Sequence, residues 1–348
     1  MTTALTALRI GILGAASPLG KELKEALSES SLAGSHFVLL DSQEAQGRLE
    51  QIGDEATVVQ AATEDSFDGL DFVFFAGTAE LTRRWWKTAL QASATVIDLT
   101  ATLDEEPGVL VRSPWVEATQ KSPDLLTQAV VPANAAALTL ALLFEGLEQR
   151  AEVRFASAMV LQPVSEYGAE ALEELHQQTV SLLSFQSIPQ AVFDTQAAYN
   201  LVANYGESAK VNLADSEARI QRHFAALQDG RSVPLRLQVI HAPVFHGLCC
   251  AICIELAAPI PLALLEDAMS GEHLDLVMEA TDSPSNLSAI GEDDVLVWIK
   301  PEPAVSRLTG ETSRFWLWAA SDNLRLAARN AVDCALDLRR LRPRGTVQ

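Results

Sequence analysis

The segment that most restricts how this chain can fold is Leu8 to Leu27. A short apolar run, L-R-I-G-I-L, passes through G-A-A-S-P-L-G at Gly14 to Gly20 into K-E-L-K-E-A-L. Leu19, Leu23 and Leu27 then recur at helical spacing, so the segment reads as strand, tight turn and helix. Small residues in such a turn let amides at a helix N-terminus approach a pyrophosphate, which makes Gly14, Ser17, Pro18, Leu19 and Gly20 candidate dinucleotide contacts. The pattern is incomplete as a phosphate loop, because Ser17 holds the middle glycine position and Pro18 has no amide hydrogen to offer. Ser17 and Pro18 also suit an N-cap and a first helical residue, so the turn starts a helix with or without a phosphate.

The second strand, His36 to Leu40, ends at Asp41. An acidic residue there commonly hydrogen-bonds a ribose hydroxyl of NAD and would repel the 2′-phosphate of NADP. Asp71 to Gly77, D-F-V-F-F-A-G, is a continuous apolar strand of the kind buried on both faces of a parallel sheet. The helix after it carries Leu81, Trp85, Trp86 and Ala89 as a core-facing stripe. Ala94 to Leu99 reads as another strand, and Pro107 to Leu126, with three prolines and little periodicity, as a surface loop. Val130 to Leu140, V-V-P-A-N-A-A-A-L-T-L, runs from an apolar strand into an alanine-rich helix with Asn134 as its N-cap. From Pro261 onward one helix is followed by strands at Leu274 to Glu279, Val295 to Pro301 and Phe315 to Ala320, which points to a mixed sheet in an α+β domain.

A chain of 348 residues with 48% apolar residues suits two domains rather than one core. Its formal charge of −21, from 25 basic and 46 acidic residues, repels nucleic-acid phosphates and argues against a nucleic-acid partner. The basic cluster Arg339, Arg340, Arg342 and Arg344 follows a helix and complements its C-terminal dipole. No apolar run approaches the roughly 18 residues of a membrane span, and the N-terminus lacks a basic start followed by an apolar stretch. The expectation is a soluble, cytoplasmic protein with no membrane partner. Of the four cysteines, Cys249, Cys250 and Cys253 crowd one strand and Cys334 stands apart, which fits a reducing compartment better than a disulfide framework. Alternation along the strand puts Cys249 and Cys253 on one face and Cys250 on the other, poor geometry for zinc, so no metal is expected.

Several short motifs, in order from about Leu8 to Leu341, resemble the aspartate-semialdehyde dehydrogenase family. The resemblance implies an N-terminal Rossmann-like, doubly wound parallel sheet over residues 1–133. It implies a second, α+β dimerisation domain with a mixed sheet over 134–321, and a C-terminal helix, 322–348, packing back on the first domain. A homodimer built on the second sheet is the implied assembly. The family's cysteine nucleophile, in Asn-Pro-Asn-Cys, falls on Ala135. The glutamine that orients the intermediate is kept as Gln162 in Q-P-V-S-E-Y-G, where Glu166 replaces a glycine that admits the nicotinamide. With Pro243, Val244 and Gly247 holding the register, the carboxylate-gripping arginine falls on His241 and the acid–base histidine on Leu248. Glu44 stands where the family anchors the 2′-phosphate of NADP, and Asp104 stands near the place of a phosphate-binding arginine.

The implied reaction needs a thiolate to attack the aldehyde, a base, hydride transfer to NADP and release of the acyl group to phosphate. Alanine and leucine offer neither a nucleophile nor a proton, and neutral histidine lacks the fork of arginine. NAD or NADP is the cofactor the resemblance implies, with NADP disfavoured by Asp41 and Glu44. The expectation is therefore a homologue without the family's activity that acts by binding a protein partner or a small metabolite. The alternative is an active NAD(P)-dependent aldehyde oxidoreductase in which Cys249, aided by His241 or His246, is a relocated nucleophile.

Overall fold

The structure is a computed structural model and describes residues 7–116, 122–228, 233–278, 283–302 and 310–341. The chain divides into two compact units: residues 1–114, 120–133 and 327–348 form the first, and residues 115–119 and 134–326 the second.

The first unit begins with β1 (Arg9–Leu13), α1 (Pro18–Glu29), β2 (His36–Asp41), a small antiparallel hairpin of β3 (Leu49–Ile52) and β4 (Glu55–Val58), and β5 (Gln60–Ala61). It continues with β6 (Phe72–Phe75), α2 (Ala79–Gln91), β7 (Thr95–Asp98), β8 (Leu110–Arg112) and β9 (Ala129–Pro132). Seven strands form one sheet in the order β5-β2-β1-β6-β7-β9-β8, every pairing parallel. The central strands β6, β7 and β9 are buried at every position, as apolar runs covered on both faces must be. On one face, Ile10, Ile12, Leu23 and Leu27 pack with Ala328, Ala331, Val332 and Leu338 of the last helix. Burying each such leucine contributes about 1.5–3 kcal/mol. On the other, Phe67, Trp85, Ala89 and Val96 form a second cluster, so Trp85 is a packing residue.

The segment read as a loop from Pro107 to Leu126 contains β8, which pairs with β9 at Leu110, Val111 and Arg112. Three residues are too few to show a period, and only pairing with a formed neighbour makes them a strand.

The second unit runs through α3 (Ala135–Glu148), β10 (Val153–Gln162), α4 (Ala169–Leu183), α5 (Leu213–Gln228), β11 (Leu235–His241) and β12 (Leu248–Pro261). It then has α6 (Leu262–Ala268), β13 (Leu274–Leu276), β14 (Val295–Pro301) and β15 (Glu311–Ser321), and α7 (Asn323–Leu341) begins in it before its residues from Ala327 onward join the first unit. The sheet order is β11-β10-β12-β15-β14-β13, with parallel pairs at its two edges and antiparallel pairs between. Helix α3 is buried continuously from Ala135 to Phe144, which its apolar residues all round the helix require.

The opposite face of the sheet is covered at one end, where Ala289 packs on Cys249, Leu296 and Ala320 and Trp318 Nε1 donates to the Pro284 carbonyl. Phe155, Met159 and Trp316 are exposed on the same face, and Trp298 lies directly across from Trp318. No helix among the described residues is long and apolar enough to cross a membrane. Glu279, Arg342 and Arg344 lie outside the described residues.

Candidate functional site

The glycine turn of the first unit holds itself together. Gly14 has φ +90, and a Cβ there would lie 2.2 Å from the Gly77 backbone, so no other residue fits between β1 and β6. The amides of Gly14 and Ala15 both donate to the Leu40 carbonyl, and that of Ser17 donates to the Gly14 carbonyl. Ser17 Oγ accepts from the Gly20 amide at 2.8 Å and donates to the Ala76 carbonyl at 2.6 Å, so it is the N-cap of α1 and ties α1 to β6. Lys21 donates to the Ser17 carbonyl, and Pro18 is the first helical residue.

Asp41 turns back onto the same turn: its Oδ2 accepts the Ala16 amide at 3.0 Å and its Oδ1 the Ser42 amide at 2.8 Å. Most amides that a pyrophosphate would use are therefore already engaged, and the Leu19 amide is flanked by a proline. Glu44 is exposed, and a hydrogen bond from Ser42 keeps its carboxyl below the usual range and hence ionised.

In the second unit, Asn134 fixes the start of α3. Its Oδ1 accepts the amides of Ala136 at 2.9 Å and Ala137 at 3.4 Å, and its own amide donates to His223 Nδ1 at 2.9 Å. Ala135, the first residue of the helix, is 2% exposed. A thiol at this place would gain from the helix dipole, but the methyl group there has no proton to lose.

Gln162 and His241 are partners in the parallel pairing of β10 with β11. His241 is fully buried, and neither ring nitrogen makes a hydrogen bond of good geometry, the Ala197 backbone being the polar group that bears on the ring. Three aromatic rings enclose it: Tyr167 stacks at 6.3 Å, and Phe193 and Tyr205 meet it edge-on at 5.5 and 5.7 Å. Burial pushes the His241 pKa down to about 4 and both phenols above their ordinary range, so all of these groups are neutral near pH 7. Gln162 Oε1 shares this buried setting without a hydrogen-bond partner of its own.

The box is held in place by α4. Both carboxylate oxygens of Glu174 accept the amides of Ala191, Val192 and Phe193, at 2.7, 2.7 and 2.9 Å, and Gln178 Oε1 accepts those of Ala197 and Ala198. These bonds anchor the segment that presents Phe193 and Tyr205.

Leu248 opens β12 at 1% exposure and pairs with Ser321. The chain reaches it through Gly247, whose φ is +86 and where a Cβ would lie 2.3 Å from the Asn286 carbonyl. Cys249 is 6% exposed among Ala289, Leu296 and Ala320, and burial pushes its thiol up to about 11. Since neither nitrogen of His241 makes a hydrogen bond of good geometry, the two do not form a thiol–imidazole pair. Cys250 is fully buried and its thiol lies still higher, while Cys253 is partly exposed. Among the described residues, no three His, Cys, Asp or Glu side chains converge to hold a metal ion.

One cluster escaped the sequence reading. Asn323, fully buried, accepts the Gly247 amide at 3.2 Å on Oδ1, and its Nδ2 donates to Ser165 Oγ at 3.0 Å and Glu166 Oε1 at 2.7 Å. Asn134 Nδ2 reaches Glu166 Oε2 at 3.4 Å. Burial pushes the Glu166 pKa up, against the pull of Asn323, Arg219 and Asn134. His223 was legible only as a buried position on the face of α5 shared by Ile220 and Leu227.

Residues 9–133 match the family described as semialdehyde dehydrogenase, NAD binding domain, and residues 144–326 match semialdehyde dehydrogenase, dimerisation domain. A USG-1 protein homolog of Pseudomonas aeruginosa is 31% identical over 335 residues, which span 93% of this chain and 96% of that protein. An aspartate-semialdehyde dehydrogenase of Rickettsia bellii is 22% identical, covering 94% of this chain and 97% of its own. Among solved structures, a probable aspartate-semialdehyde dehydrogenase from Pseudomonas aeruginosa superposes with a TM-score of 0.83 at 27% identity, covering 95% of this chain and 98% of that one. Aspartate semialdehyde dehydrogenase II from Vibrio cholerae, complexed with ASA, gives 0.84 at 22% identity over 97% and 99% and shares the fold.

Proposed function

Since the chain belongs to the semialdehyde dehydrogenase family, we propose that it is a member without the family's redox activity, a homodimer that acts by binding a partner protein or a small metabolite. The observation that carries this reading is Ala135. The position that the family resemblance gives to the nucleophile is a buried methyl group at the capped start of α3, with no reactive atom. The other positions support it. Leu248 has no proton to transfer, and His241 is an uncharged ring inside an aromatic box, unable to grip a carboxylate as a charged fork does. Removing a single member of such a catalytic unit ordinarily abolishes most of the rate.

Cys249 does not supply a replacement. A thiol with a pKa of about 11 is protonated near pH 7, and its apolar neighbours keep reagents away. Dimerisation is supported by the match to a dimerisation domain and by the exposed Phe155, Met159 and Trp316 on one sheet face. Asp41 and Pro18 argue against productive dinucleotide binding, because one is turned onto the glycine turn and the other lacks an amide hydrogen.

The test is calorimetric titration with NAD and NADP alongside an assay for phosphate-dependent reduction of NADP by aspartate semialdehyde. The reading predicts no turnover above a protein-free blank. Turnover above that blank overturns it. Heat on titration with either dinucleotide, without turnover, would identify the metabolite as the dinucleotide itself.

A further inference from the structure

Asn134 and Asn323 each have a side-chain amide that can point only one way. The Asn134 oxygen is fixed by the amides of Ala136 and Ala137, and the Asn323 oxygen by the Gly247 amide. With the oxygens committed, the two NH2 groups are aimed by the fold, and both are aimed at Glu166. Asn323 Nδ2 donates to one carboxylate oxygen at 2.7 Å and Asn134 Nδ2 approaches the other at 3.4 Å. The Arg219 guanidinium adds a favourable charge. One donor per oxygen, held rigid before the anion arrives, is how a protein recognises a carboxylate group. The donors come from α3, from the start of α7 and from α5, whereas the carboxylate comes from the short turn between β10 and Gly168. The group that fills the cradle is thus a side chain on a separate, short segment.

We propose that Asn134 and Asn323 form a carboxylate-binding cradle that Glu166 occupies as a tethered internal ligand, so that a free small carboxylate enters only when the Glu166 side chain leaves. The inference concerns binding alone and holds whether or not the protein turns over a substrate. Removing Glu166 leaves Asn323, fully buried, with an amide hydrogen lacking an acceptor. A buried donor in that position favours any acceptor of the right charge and size.

Thermal unfolding of the full chain, wild type and Glu166→Ala, is followed in sodium acetate and in sodium chloride at matched ionic strength. The expected result is a saturable rise in melting temperature with acetate for Glu166→Ala and none for wild type, because a ligand that binds only the folded chain stabilises it by mass action. Adding Asn134→Gly to Glu166→Ala weakens the acetate response several-fold, glycine being a tolerated N-cap. Equal responses in wild type and Glu166→Ala, or a Glu166→Ala response no larger with acetate than with chloride, overturns the proposal. Should Glu166→Ala fail to fold, Glu166→Gln carries the test. Its NH2 group faces the Asn134 donor instead of an acceptor, so its folding equilibrium falls at least tenfold further than that of Glu173→Gln on α4; an equal effect of the two substitutions overturns the proposal.

Discussion

Replacing His241 with phenylalanine measures whether the aromatic box keeps this ring uncharged. The imidazole is fully buried, and burial lowers its pKa from 6.5 to about 4, with the Ala197 backbone pulling weakly the other way. A histidine with a depressed folded pKa binds its proton more readily in the unfolded chain. Its contribution to stability is therefore complete above pH 6.5 and is lost as pH falls towards 4. For a shift of this size the loss between pH 7 and pH 5 is about 2 kcal/mol.

The assay is urea unfolding of wild type and His241→Phe at several pH values with equal slopes, so that differences in midpoint are differences in stability. Other titrating groups cancel in the comparison, including Glu166, whose raised pKa acts with the opposite sign. At pH 7 the variant should match or exceed wild type, since two nitrogens without a hydrogen bond of good geometry leave a buried site. By pH 5 the balance should have moved about 2 kcal/mol further in the variant's favour. A difference that does not change with pH would mean that His241 titrates normally in the folded protein, and the argument that this position is uncharged and enclosed would fail.

Glu174→Ala leaves three backbone amides without their acceptor and should cost about 3 kcal/mol by chemical denaturation, with faster proteolysis between α4 and α5. Of the four cysteines, only Cys253 should react with a neutral thiol reagent in the folded protein, as mapped by mass spectrometry; rapid labelling of Cys249 would restore the relocated-nucleophile reading. Trp316→Arg places a charge among the exposed apolar side chains of the second sheet and should shift the protein from dimer to monomer in light scattering.

The first sheet was readable because its strands are short apolar runs separated by helices, a pattern that burial on both faces imposes on sequence. Ser17 as a cap was readable because capping is local. Asp41 was readable as the acidic end of β2, but not its bond from the Ala16 amide across the turn, which only the folded chain brings together. β8 was missed because a three-residue strand carries no period. In the second unit the register of β11 and β12 was set by Pro243, Val244 and Gly247, and the last of these is required by its φ of +86 and its closeness to Asn286. The box round His241 and the cradle round Glu166 each draw residues from several distant segments. No spacing rule links residues 134, 166 and 323; Glu166 stood out in the sequence only as a charge where a glycine was expected, and its partners appear only once the chain is folded.

The most direct measurement of the central claim is the initial rate of NADPH formation by the purified wild-type protein with aspartate semialdehyde, NADP and phosphate, compared with Cys249→Ala and with a protein-free blank. With Ala135 and Leu248 at the nucleophile and base positions, all three rates should coincide. A wild-type rate above the blank that depends on phosphate would contradict the account, and its loss in Cys249→Ala would place the nucleophile on β12.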